Sequence, residues 1–136
     1  MIKHRHFIKH AILASEMSKD PKTKVGAILV DSSNRILGSG YNGAPRKFND
    51  SLMNWDDRAS AVEYVVHAEV NCILQSSARY DERSTLYTTM SPCKECIKII
   101  AAAGISTVVY KDAYKDIEKV CILAYAFKVT MIQVTE

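Results

Sequence analysis

"TLYTTMSPCKECIKIIAAAGISTVVYK", residues 85–111, sets two periodicities side by side. "TLYTTM" (85–90) and "TVVYK" (107–111) are short runs of β-branched and aromatic residues, the mark of strands. Between them, residues 92–103 read as a helix, with Ser91 as a good N-cap and Pro92 suited to the first helical position. A strand, a helix and a strand in succession imply a right-handed crossover that lays the helix on a parallel pair.

The flanking text repeats the alternation. Phe7, Ile8, Ala11, Ile12 and Met17 recur at helical spacing through "HFIKHAILASEMS", and Asp20-Pro21 stops that helix. "VGAILV" and "RILGSGY" form a hairpin around Asp31, Ser32, Ser33 and Asn34. Residues 41–58, "YNGAPRKFNDSLMNWDDR", read as a long loop, of the kind that carries function in a compact domain. A helix over 67–78 follows, then a helix over 113–126 and a last strand, "VTMIQV", at 129–134. The expected architecture is a three-layer α/β/α sandwich around a mixed, mostly parallel sheet of five strands.

Composition sets the bounds. A chain of 136 residues, 48% hydrophobic and without repeats or low-complexity tracts, suits a single domain over 1–136 with a real core. The longest apolar stretches, such as "IKIIAAAGI", fall short of the ~20 residues of a bilayer span, and "MIKHRHFIKH" lacks the apolar stretch of a signal peptide. A cytoplasmic protein with no membrane partner is expected. A net charge of +3 suits phosphate-bearing small molecules and lacks the dense basic stripe of a nucleic-acid binder. Four cysteines in such a chain are more readily metal ligands or buried thiols than disulfides.

Cys93 and Cys96 fall in the opening turn of the 92–103 helix, three residues apart on one face, where unpaired N–H groups and the positive helix end favour thiolate. A lone C-x-x-C has three readings: half a structural zinc site, a redox pair, or helix packing. "HAEVNCILQ" (67–75) adds His67 and Glu69. One His and two Cys make a soft tetrahedral site with three protein ligands and an open fourth position, the pattern of catalytic zinc. Residues two apart on a regular helix diverge by about 200°, so His67 and Glu69 can serve one ion only where the helix begins, at or just before His67. Glu69 fits the proton-accepting role rather than ligation. Cys72 and Cys121 read as core thiols, His4, His6 and His10 as exposed histidines, and Trp55 as an anchor for the long loop or an interface.

H-x-E followed by P-C-x-x-C is the signature of zinc-dependent nucleobase deaminases. On it the chain resembles the cytidine deaminase superfamily, and "SKDPKTKVGAILV", "GYNGAP" and "HAEVN" are similar to its deoxycytidylate deaminase branch, from Ser18 through "AGISTVVYKDAY". The resemblance implies hydrolytic deamination of dCMP to dUMP and ammonia, supplying dUMP for dTMP synthesis, on a five-stranded sheet flanked by helices, assembled as a homohexamer. It implies zinc activation of water, with Glu69 taking the water's proton and delivering hydrogen first to N3 and then to the leaving amine.

It further implies that Asn42 binds the sugar, that Ser18, Lys19 and Lys22 hold the 5′-phosphate, that Ser91 presents its backbone to the base, and that Tyr114 closes on the nucleotide. Gly40, Tyr41, Asn42 and Gly43 match the loop around which relatives bind dCTP as activator and dTTP as inhibitor, with Mg2+ accompanying the triphosphate. No Cys or His lies between Pro45 and Val66, so the second, structural zinc of some phage members is not expected, and one zinc per chain follows. Phe127 stands where relatives often place Gly before the last strand, and Lys47 replaces a frequent Gly. Two alternatives are a deaminase acting on a free nucleoside or on a base in RNA or single-stranded DNA, and a structural zinc module that binds a partner.

Overall fold

The computed structural model describes residues 2–76 and 80–135. Five helices, α1 (Ile2–Ser15), α2 (Arg58–Tyr64), α3 (Ala68–Gln75), α4 (Lys94–Ala102) and α5 (Ile117–Ala126), accompany five strands, β1 (Gly26–Val30), β2 (Ile36–Tyr41), β3 (Thr85–Met90), β4 (Thr107–Asp112) and β5 (Thr130–Gln133). The strand order is β2-β1-β3-β4-β5. β1 is antiparallel to both β2 and β3, whereas β3, β4 and β5 run parallel. The sheet is therefore mixed: a hairpin opens it, and helical crossovers build its parallel C-terminal half.

Alternation along the strands divides the core in two. Ala27 and Leu29 of β1, Leu86 of β3 and Val108 of β4 pack against Cys72 and Ile73 of α3, Ile97 and Ile100 of α4, and Val120 and Ala124 of α5. Their neighbours Ile28, Val30, Tyr87 and Val109 face the other way, onto Phe7, Ile8 and Ala11 of α1. One helix thus covers one face of the sheet and three cover the other, completing the three layers. The approach is closest at two glycines. A Cβ on Gly26 would lie 2.0 Å from the Ala11 carbonyl, and one on Gly40 would lie 2.4 Å from the Cys72 nitrogen.

Helix ends differ from the sequence expectations in instructive ways. α3 stops at Gln75 and its cap Ser76 is extended, while the remaining expected positions, 77 and 78, lie outside the described residues. α4 is capped by Cys93, not Ser91. Ser91 is occupied elsewhere, its Oγ accepting from the Tyr114 N–H at 2.7 Å and its own N–H reaching the Asp112 carbonyl. α5 begins at Ile117, after residues 113–116 have turned across the strand end. α2 follows the text read as loop and shares only Arg58 with it, in a stretch given no element from the sequence; Asp57 caps it by accepting from the Ser60 N–H, and seven residues are too few to show a clear helical period.

α4 and α5 end alike. Gly104, at φ 89°, follows α4, and Ile105 N–H closes onto the Ile100 carbonyl. After α5, Phe127 keeps φ −90°, and Lys128 takes the left-handed position at φ 60° while Val129 N–H closes onto the Ala124 carbonyl. Both are the same left-handed cap, so the turn before β5 forms with Phe127 in place and Lys128 bears the strained geometry. Three side chains also depart from expectation, His10 among them, which is half-buried. Cys121 is exposed on α5 rather than buried in the core, because the apolar face of that helix is set by Val120 and Ala124. His4 is half-buried, its Nδ1 2.8 Å from the Tyr87 hydroxyl.

Candidate active site

α3 and α4 present their N-termini to one point. His67 is the N-cap of α3, with extended backbone (φ −68°, ψ 154°), and Cys93 is the N-cap of α4. Because His67 is not yet helical, its ring is released from the 100° per residue spacing that would separate it from Glu69. Its Nδ1 lies 3.2 Å from Cys96 Sγ and 3.4 Å from Cys93 Sγ. All three ligand atoms fall within 4.8 Å of one another.

That triad suits zinc. Bond lengths of about 2.3 Å to sulfur and 2.0–2.1 Å to nitrogen place tetrahedral nitrogen and sulfur ligands about 3.6 Å apart, within a few tenths of an ångström of the two distances from His67 to the cysteines. Two thiolates and an imidazole are the soft donors this ion takes, and three protein ligands leave one tetrahedral position for a small molecule. The electrostatics prepare the ligands. The Cys96 thiol donates to Cys93 and, with the His67 ring and the Cys96 N–H adding to it, holds the Cys93 sulfur down to about 3 against its partial burial. The same contact and burial push the Cys96 thiol up. The hydrogen bond to Cys93 raises His67.

Glu69 is buried, with 4% of its surface exposed, and burial pushes its carboxyl up to about 7. A carboxyl poised there exchanges a proton readily near neutrality. It lines a cavity of about 290 Å3 with His67, Cys93, Ser91, Asn42 and Tyr114. Every sequence-selected catalytic and ligand residue except the buried Cys96 thus borders one space, and Cys96 joins it through His67.

The expected substrate residues divide. Asn42 is buried at the wall, its Oδ1 accepting from the Val25 N–H at 2.8 Å and its Nδ2 donating to the Thr23 carbonyl at 2.9 Å. Its φ is not positive, so it is no left-handed turn residue, and its amide retains one N–H and one lone pair for a ligand. Tyr114 stands half-exposed at the mouth. Ser18, Lys19 and Lys22 do not line the cavity. Ser18 is buried and donates to the Asn42 carbonyl. Lys19 pairs with Asp50 beside a second cavity, and Lys22 binds Asp20 through its backbone N–H alone.

Several residues of the cavity carry no signal in the sequence. Val25, Ala61, Val62, Val65 and Met90 supply its apolar wall, while Asp20 and Arg58 supply a charged pair. The second cavity, of about 490 Å3, is lined by Gly40, Tyr41 and Gly43 together with Lys19, Arg46, Asn71 and Gln75. Asn42 turns away from it, into the first. Trp55 borders both.

A family model described as the cytidine and deoxycytidylate deaminase zinc-binding region matches residues 1–112. The chain is 43% identical over 122 residues to a probable deoxycytidylate deaminase of Drosophila melanogaster, covering 82% of this chain and 60% of that protein. It is 38% identical over 117 residues to deoxycytidylate deaminase of Homo sapiens, covering 82% and 66%. The chain therefore spans just under two thirds of the length of these curated relatives. The crystal structure of dCMP deaminase from the cyanophage S-TIM5 matches with a TM-score of 0.79 and 32% identity over 96% of both chains. The structure of that protein in complex with dCMP and dUMP matches with a TM-score of 0.79 and 31% identity over 96% of this chain and 95% of that one.

Proposed function

The chain belongs to the cytidine and deoxycytidylate deaminase family, and from that membership we propose that its 136 residues form a single deaminase domain converting dCMP and water to dUMP and ammonia. The observation that carries the reading is the meeting of His67, Cys93 and Cys96 at two helix starts beside the buried Glu69, in one cavity. His67, Cys93 and Cys96 would hold one zinc ion, which supplies Lewis acidity toward water. Glu69 accepts a proton from the attacking water and passes it to N3 as the C4–O bond forms. It then takes the proton of the new C4 hydroxyl and delivers it to the amine as the C4–N bond breaks and C4=O forms. Asn42 offers its free amide N–H and lone pair to the sugar, Ser91 its backbone to the base, and Tyr114 covers the mouth.

The apolar wall excludes bulk water from that proton traffic. We also read the chain as a cytoplasmic homohexamer whose second cavity takes a triphosphate effector, dCTP or dTTP, with Mg2+. Support comes from Lys19 and Arg46 at that cavity and from the exposed apolar side chains Ile122 and Tyr125 on α5. Incubating the purified, zinc-loaded protein with dCMP, deoxycytidine, dCTP or a tRNA, and following ammonia release, tests the reading. Turnover of dCMP is expected. An inert dCMP, with turnover of one of the others, sinks the substrate assignment; no turnover at all leaves the structural zinc module standing. Light scattering with and without dCTP tests the assembly.

A further inference from the structure

Among the described residues lining the first cavity, Arg58 alone carries an ammonium or guanidinium charge. Of the lysines flanking Asp20 in sequence, Lys19 turns to Asp50 and Lys24 to the Ser18 carbonyl, and Lys22 meets Asp20 through its backbone N–H. Arg58 is also held. Its Nη2 donates to Asp20 Oδ2 at 2.8 Å, and its Nη1 to Asp20 Oδ1 at 3.3 Å and to the Trp55 carbonyl at 3.1 Å. Asp20 is itself buried and accepts from the Lys22 and Thr23 N–H groups at 2.9 and 3.2 Å. The carboxylate's charge is therefore spread over four donors, while three of the five guanidinium N–H groups are used and two remain.

We propose that Arg58 is a specificity-determining residue: gripped by Asp20, it turns its remaining N–H groups to the phosphate of the nucleotide. Asp20 is its positioning residue. The inference rests on the reading of the cavity as a nucleotide site and replaces the 18–22 side chains as the phosphate's main contact. A guanidinium fixed on one side and free on the other presents a preformed fork to a tetrahedral anion.

Steady-state kinetics of the zinc-loaded enzyme on dCMP and on deoxycytidine test it. Arg58→Gln is expected to raise KM for dCMP about 10- to 100-fold with kcat within about threefold, and to leave kcat/KM for deoxycytidine unchanged. Asp20→Asn raises the same KM by a smaller factor, and the double substitution is no worse than Arg58→Gln alone. Equal losses on both substrates, or an unchanged KM for dCMP, overturns the proposal. If the wild-type chain turned over neither compound, the preceding reading would fail. Arg58 would then be judged by calorimetric binding of dUMP, with weaker binding in Arg58→Gln upholding it and equal binding overturning it.

A separate observation carries a second inference. His6 and His10, one turn apart on α1, place their Nε2 atoms 3.2 Å from each other, and His6 is exposed. Two imidazole nitrogens about 2.0–2.1 Å from one ion and this far apart subtend roughly 100°, between the square and tetrahedral angles. We infer that the pair forms a second, open metal site for a late divalent transition ion such as Ni2+, completed by water. Titration of the zinc-loaded protein with Ni2+ should show one further ion per chain while zinc content holds. His6→Ala and His10→Ala should each abolish that ion without changing dCMP turnover. Persistence of the extra ion in both variants, or no binding up to millimolar Ni2+, overturns it.

Discussion

Glu69 carries an acid that folding has taken out of water, and its raised pKa follows from that burial. Its proton is therefore available near neutrality, which a solvated carboxylate would not offer. Glu69→Gln should keep full zinc content by metal analysis yet lose about 10²- to 10⁴-fold in ammonia release. Asp20 shows the opposite balance. Burial pushes its carboxyl up, but Arg58 and the Lys22 and Thr23 N–H groups outweigh it and leave it below the usual range. A carboxyl depressed in the native state adds stability above its unfolded value, about 3.9, and loses it as pH falls through the native one. The stability gap between wild type and Asp20→Asn, followed by thermal denaturation, should thus be constant from pH 7 to about 5 and close toward pH 2, with a full value of about 1–3 kcal/mol. The meeting of His67, Cys93 and Cys96 beside Glu69 was legible because their spacings are local and chemically restrictive. The grip of Asp20 on Arg58 was not, since the two lie 38 residues apart, nor was the ion pair of Lys19 with Asp50, which spans 31 residues.

At the scale of elements, two helix starts do the positioning, and each is fixed by what packs behind it. Gly40 lets β2 lie against the backbone of α3, close to the residues that follow Glu69. Gly40→Ala puts a methyl group where the Cys72 nitrogen and the Ala68 carbonyl already are, so α3 must shift. A loss of about 1–3 kcal/mol in chemical denaturation is expected, together with weaker zinc retention in competition with a chelator, because His67 moves with its helix. β1 and β2 were legible as a hairpin around the 31–34 turn, the later strands from short runs of β-branched and aromatic residues, α1 and α3 from apolar spacing, and α4 from its Ser91-Pro92 start. α2 was hidden because its seven residues bury little. The cap of α4 was misread because Ser91 is a good cap whose side chain another segment, at Tyr114, had claimed.

Across the whole molecule, a metal ion held by His67, Cys93 and Cys96 would tie α3 to α4, and both helices rest on the same face of the sheet. Metal binding then belongs to the stability of the entire domain. Removing zinc with a strong chelator should lower Tm in a single cooperative transition. With free zinc initially near 100 times its dissociation constant, the loss is about 2.7 kcal/mol, on the order of 10 °C for a domain of this size. The three layers were readable from the order of the elements, whereas the two cavities were not, because their walls combine residues from four or more separate segments.

Trp55 stands between those cavities, beneath the Arg58 guanidinium at 6.0 Å from its ring, and it is the chain's one tryptophan. The protein therefore carries a built-in optical reporter at the boundary of both spaces. Indole emission, excited apart from the tyrosines, should change when dUMP enters the first cavity and when dCTP enters the second. Arg58→Gln should blunt the first response and spare the second, so that one dye-free fluorescence titration can distinguish which space has filled.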